Sequence, residues 1–149
     1  MSIYFAKNFK YSEIACPCCG KVTPLDPKLT YLLQSLRNKI GKPIYISKGG
    51  GLRCRKYNKH IGGYKYSPHI DGKAVDIHVR GMNIIDLAII AKSIGFSRIG
   101  LYPYNHFIHI DTVNPYRGSA SWVRDKNGNY HYFKTLEQAG YFMESIIDG

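Results

Sequence analysis

The chain has 149 residues, 44% of them apolar, with 21 Lys and Arg against 10 Asp and Glu for a formal charge of +11. That composition excludes a disordered chain, the length suits one domain with a buried core, and no run reaches the ~20 apolar residues of a membrane helix. The basic excess draws polyanions such as nucleic acid, anionic lipid or wall polymers. Yet the basic residues are scattered, the densest group being Arg53-Cys54-Arg55-Lys56, so charge alone does not choose among them.

The first residues, Met1 to Lys7, lack the basic start, long apolar core and small-residue cleavage site of a secretory signal. The product is therefore expected to begin life in the cytosol. Cys16-Pro17-Cys18-Cys19 contains one Cys-x-x-Cys, half of a zinc knuckle, which only Cys54, with His60, stands to complete. A disulfide to Cys54 and plain reduced thiols are the competing readings. A helix follows, with Asp26 as N-cap, Pro27 at its first position and Gly41 past its end. Leu29, Leu32, Leu33, Leu36 and Ile40 make its core stripe.

Ile44 to Ser47 reads as a strand, and the segment from Lys48 to Pro68 as a Gly-rich loop that carries Arg53. Further strands are expected over Lys73 to Val79, Arg98 to Tyr102, Phe107 to Thr112 and Tyr130 to Phe133. A second helix runs from Asn83 to about Ile94, stopped by Gly95. A third starts at Thr135, where Gln138 completes a capping box. Asp125 to Asn129 is a turn. Without strict β-α-β alternation the chain reads as α+β with a mostly antiparallel sheet and flanking helices, in a single domain over 1–149.

The chemistry gathers on Ser67-Pro68-His69, Asp76 and His109. Alternation puts Val75, Ile77 and Val79 on one face of their strand and Asp76 and His78 on the other. Ile108 and Ile110 likewise face away from His109 and Asp111. Two strands with apolar backs and ligand-bearing fronts are what a metal cleft on a sheet requires. Imidazole nitrogen and carboxylate oxygen are zinc ligands, and three protein ligands with one open position mark a catalytic zinc site. A lone histidine is more often a hydrogen-bonded surface residue, so it is the joint pattern that argues for metal.

The run Ile46-Ser47 through Arg53, Tyr57-Asn58, Gly62-Gly63, Ser67-x-His69-x-x-Gly72-x-Ala74-x-Asp76, then Gly100-x-Tyr102 and Phe107-x-His109-x-Asp111, resembles the zinc D-alanyl-D-alanine carboxypeptidases and L-alanyl-D-glutamate endopeptidases. These peptidoglycan peptidases share their fold with the hedgehog signalling domain. The resemblance spans roughly residues 9 to 122 and implies one Zn²⁺ per chain held by His69, Asp76 and His109. It gives Arg53 the task of holding a substrate carboxylate, although the family's Ser-Gly-Tyr-Arg is here the longer Ser47-Lys48-Gly49-Gly50-Gly51-Leu52-Arg53. Ser67 stands beside it among the substrate-side candidates, as a shaper of the ligand turn.

The family commonly places Glu or Asp three residues before the last zinc histidine, where this chain has His106. His106 is therefore the candidate base, with Asp111 as the alternative proton shuttle or the group that orients His109. His78 is a candidate second partner of Asp76, or else a solvent-facing residue. The expected function is zinc-dependent hydrolysis of peptidoglycan stem peptides, by an enzyme acting at the cell wall that resembles a phage or prophage lysis or tail-associated enzyme. The alternatives are a catalytically inactive wall- or protein-binding module of the same fold and, as a third class, nucleic-acid binding.

Overall fold

The computed structural model describes residues 2–115 and 118–147; the extreme ends of the expected 1–149 domain lie outside the described residues. The chain opens with a small hairpin, β1 (Tyr4–Ala6) and β2 (Phe9–Lys10), and a 3₁₀ turn over Tyr11–Glu13. Then come α1 (Pro27–Ile40), β3 (Tyr45–Ile46), α2 (Arg55–His60), β4 (Ala74–His78) and α3 (Ile84–Ile94). The C-terminal part is β5 (Arg98–Tyr102), β6 (Phe107–Asp111), β7 (Ser121–Arg124), β8 (Tyr130–Phe133) and α4 (Leu136–Ile147).

Strands β3 to β8 form one six-stranded sheet in the order β3-β4-β6-β5-β7-β8. Every pairing is antiparallel except β5 with β7, so the α+β sheet is mixed but mostly antiparallel. The parallel pair arises because the chain leaves β6, crosses back over β5 and enters β7 in the direction of β5. No alternation marked β7: Ser121-Trp122-Val123-Arg124 holds only two large apolar residues, and its pairing is decided by β5.

Helix ends form where the sequence places them. Asp26 accepts from the N–H groups of Lys28 and Leu29, and Gly41 closes α1 at φ +72°. Asn83 caps α3 through the N–H of Asp86, and Thr135 and Gln138 exchange hydrogen bonds at the start of α4. Short α2 lies inside the segment expected to be loop; at six residues it is too short for a periodic stripe to show.

One face of the sheet carries Val75, Ile77, Ile99, Leu101, Ile108, Ile110 and Val123, all buried with Leu29, Leu33, Leu36, Leu87 and Met143 in one core. Each fully buried aliphatic side chain contributes about 1.5–3 kcal/mol. That core fixes the strands rigidly and turns their opposite faces outward together. Across that second face one rung runs through five strands: Asp76 pairs with His109, His109 with Gly100, Gly100 with Trp122, and Trp122 with Tyr132.

Candidate metal centre

Asp76 and His109 are direct cross-strand partners on β4 and β6, so their side chains stand side by side on the outer face. His69 arrives from a turn before β4, closed by bonds from Ile70 N to Ser67 O and from Lys73 N to Pro68 O. Gly72 sits in that turn at φ +68°, a conformation L side chains resist. The candidate ligand atoms of His69, Asp76 and His109 lie within 4.8 Å of one another. Asp76 Oδ1 is 3.3 Å from His69 Nε2 and 3.1 Å from His109 Nδ1.

The far nitrogen of each ring has its own acceptor. His69 Nδ1 is 3.0 Å from the Gly51 carbonyl, and His109 Nε2 is 2.7 Å from Asp111 Oδ2. Protons held on those outer nitrogens leave a lone pair on His69 Nε2 and on His109 Nδ1, both aimed at the Asp76 carboxylate. Two imidazole lone pairs and a carboxylate oxygen converging at this spacing fit zinc, with room in the coordination number for a further ligand.

The electrostatics follow from burial and these contacts. Burial pulls His69 below the ordinary imidazole value, against the opposing pull of Asp76. For Asp76 burial works upward, but the neighbouring His69 and His109 overcome it and hold the carboxyl far below the usual range. His109 is raised: burial works against its charged form, and hydrogen bonds to Asp111 and Asp76 outweigh it.

Arg53 finds its partners within the chain. Arg53 donates through Nε to Gly49 O (2.8 Å), from one guanidinium NH₂ to Asn58 Oδ1 (3.2 Å), and from the other to Asp76 Oδ2 (3.2 Å). It is built into the support of Asp76. Ser67 is buried and its hydroxyl accepts from the N–H of His69, which shapes the ligand turn and leaves no surface for substrate. Asp111 is fully buried on the far side of the His109 ring, 3.2 Å from Arg98 Nε, and so stands behind the centre.

His106 is not brought to the cluster. It is exposed in the β5–β6 turn at φ +58° and borders a cavity of about 450 Å³ with Met82, Ile84, Ile85 and Met143. The reason is the turn: β6 begins only at Phe107, and the left-handed backbone at position 106 carries its side chain away from the face that holds His109. His78 is stacked on Tyr45 at 5.4 Å between ring centroids and borders the same cavity.

Two contributors, Trp122 and Asn58, had no role assigned from the sequence. Trp122 leans over Gly100 until its ring centroid is 5.0 Å from that of His109, and a Cβ at Gly100 would run into the indole. Its Nε1–H donates to the Tyr102 hydroxyl at 3.1 Å, and the Arg98 guanidinium lies 4.9 Å above its ring. Asn58 is buried, accepting from Arg53 and donating to Tyr64 O, and a Cβ at Gly63 would collide with its amide. The Gly62-Gly63 pair was the available signal for Asn58. Nothing local singled out Trp122.

The family model described as Peptidase M15 matches residues 7–111. Among curated proteins, the peptidoglycan L,D-endopeptidase MepK of Escherichia coli strain K12 is 32% identical over 102 residues, which is 62% of this chain and 54% of that protein. The probable peptidoglycan L,D-endopeptidase MepK of Haemophilus influenzae is 28% identical over 99 residues, 62% of this chain and 53% of its own. The zinc D-Ala-D-Ala carboxypeptidase of Streptomyces albus G is 31% identical over 116 residues, 69% of this chain and 45% of its own. The chain spans about half the length of these relatives.

Proposed function

Because the chain belongs to the peptidase M15 family, we propose that it is a zinc metallopeptidase cleaving peptide bonds in peptidoglycan stem peptides, in one domain over 1–149, with His69, Asp76 and His109 as the metal ligands. The observation that carries this reading is the convergence of those three donors within 4.8 Å of one another, each imidazole anchored through its other nitrogen. Zinc held by these three residues would supply Lewis acidity toward a scissile carbonyl and a water.

The chain's own residues do the rest. Asp111 keeps the proton on His109 Nε2, and the Gly51 carbonyl does the same for His69 Nδ1, so neither ring turns its N–H inward. Arg53 fixes the orientation of Asp76 through Oδ2, leaving Oδ1 for the metal. Tyr102 is raised above the ordinary phenol range, by burial first and by the negative charge of Asp76 next. It therefore stays protonated and available as a donor. Of the two groups expected to move the proton, Asp111 takes the orienting role and His106 none.

Aromatic residues frame the approach: Trp122 beside His109, then Tyr132 at 6.4 Å from Trp122 and exposed Tyr64 and Tyr66. Such a rim suits the amphipathic surface of a glycopeptide, and the +11 charge suits an anionic wall. The relatives named above include both an L,D-endopeptidase and a carboxypeptidase, so the proposal covers both kinds of cut.

The test is to incubate zinc-loaded protein with defined muropeptides and identify products by mass. Release of terminal D-alanine or an internal cut supports the reading and names the bond. Intact substrate with full metal content overturns it in favour of a non-catalytic wall-binding module.

A further inference from the structure

We propose that Cys16, Cys18, Cys19 and Cys54 form a second metal centre, a tetrathiolate site for one structural zinc ion that ties the N-terminal segment to the loop bearing Arg53. The site is separate from the His69, Asp76 and His109 group. It goes beyond the peptidase reading, because a protein without activity could hold it equally well.

The local fold builds the first half. In Cys16-Pro17-Cys18-Cys19-Gly20-Lys21 the chain reverses through hydrogen bonds from Gly20 N to Cys16 O (2.8 Å) and from Cys16 N to Lys21 O (3.1 Å). Gly20 takes φ +71°, a left-handed position that suits glycine. This turn sets the sulfurs of Cys16 and Cys19 on the same side. Cys54, 38 residues beyond Cys16, then enters from the start of α2. The sulfurs of Cys16, Cys19 and Cys54 lie within 4.8 Å of one another; the exposed Cys18 stands outside that trio, near enough for its thiol to interact with that of Cys54.

The spacing and surroundings suit metal better than a disulfide. A tetrahedral site with Zn–S near 2.3 Å places its sulfurs about 3.8 Å apart, so Cys16, Cys19 and Cys54 need only slight contraction while the exposed Cys18 side chain turns in as the fourth ligand. A disulfide would use two of the sulfurs and leave the other two without a role. Backbone N–H groups already point at sulfur: Cys54 N to Cys16 Sγ at 3.4 Å and Tyr57 N to Cys54 Sγ at 3.3 Å. Those bonds favour thiolate over thiol, the form that binds metal. Four thiolates around a dication leave net negative charge, which the Lys56 ammonium beside Cys18 partly offsets. All-sulfur tetrahedral coordination selects zinc or iron among common metals, and zinc has no redox state to lose.

The position of this centre gives it a purpose. Cys54 directly follows Arg53, whose guanidinium holds Asp76. Leu52 N donates to Ile14 O at 2.8 Å, and a Cβ at Gly51 would strike the Ile14 backbone, so the two segments are already in close register. A metal bridge at their ends locks Gly51 and Arg53, two of the supports of the ligand cluster, against the N-terminal segment, which is anchored by buried Ile14 and Leu25 but exposed throughout residues 17–24.

The deciding experiment counts metal in the full chain purified under reducing conditions without chelator. Two zinc ions are expected per wild-type chain and one in His69→Ala. Cobalt substituted into His69→Ala should give the intense sulfur-to-cobalt charge-transfer bands of a tetrathiolate site, lost in Cys19→Ser while that variant, with His69 restored, still binds one ion. Should the cysteine variant fail to fold, the count and the cobalt spectrum of His69→Ala decide alone. A His69→Ala protein free of metal, with all four thiols open to a thiol reagent in the folded state, overturns the proposal. So does a native disulfide among the four, or iron in place of zinc. None of these results depends on peptidase activity, so failure here and failure of the peptidase reading are distinguishable.

Discussion

His109 Nε2 meets Asp111 Oδ2 at 2.7 Å while the opposite nitrogen of the same ring faces Asp76 Oδ1 at 3.1 Å. One buried carboxylate thereby sets which nitrogen of the histidine is free. Asp111→Asn is expected to weaken metal binding at the His69 centre by about 10- to 100-fold, the usual worth of such an outer partner. Titration against a zinc chelator, in a background lacking the cysteine cluster, measures it. Unchanged affinity would remove the orienting role from Asp111.

His106 lies in a tight turn at φ +58°, away from the cluster. Replacing it with glycine should relieve about 1 kcal/mol of backbone strain, visible as a higher urea midpoint. Metal content and turnover should stay at wild-type levels. A large loss of turnover with zinc retained would restore His106 as the proton shuttle.

Arg53 spends donors on Gly49, Asn58 and Asp76 at once. Lysine keeps the charge but not the planar fork. Arg53→Lys should therefore lower both metal affinity and kcat by tenfold or more through a loosened Asp76. If KM alone rises and metal affinity holds, the arginine reads a substrate carboxylate instead.

Asp125 is lowered to about 2, chiefly by the hydrogen bond from His131 and next by the Asn129 backbone N–H. A depressed carboxyl contributes stability that is fully present above its unfolded pKa of about 3.9 and is lost as pH falls through the folded value. Wild-type stability should thus decline from about pH 4 toward pH 2, and Asp125→Asn should flatten that limb. Thermal melts across the acid range compare the two; identical slopes would show that the pair contributes nothing.

Trp122 is the sole tryptophan, so its environment can be followed directly. Gly100→Ala places a methyl where the indole lies and should cost about 1–3 kcal/mol by overpacking. Near-ultraviolet circular dichroism and fluorescence of Trp122 should change together with metal affinity, since the ring supports His109. Unaltered spectra would mean that the ring does not rest on Gly100 in solution.

Local rules were legible in the sequence because they act between near neighbours. Asp26, Pro27 and Gly41 bound α1, Thr135 and Gln138 start α4, and alternation assigned β5 and β8 to the residue. The same period of two put Asp76 and His109 on the outer faces of their strands, so their candidacy as ligands needed no coordinates. Tertiary structure decided everything that depends on which strand lies next to which. Register made Asp76, His109, Gly100 and Trp122 one rung, and the packing of the loop before α2 turned Arg53 toward Asp76. It also brought Cys54 to Cys16 and Cys19, across the 38 residues that separate Cys54 from Cys16. Contacts between distant segments are set by how the whole core packs, and no local pattern encodes that packing.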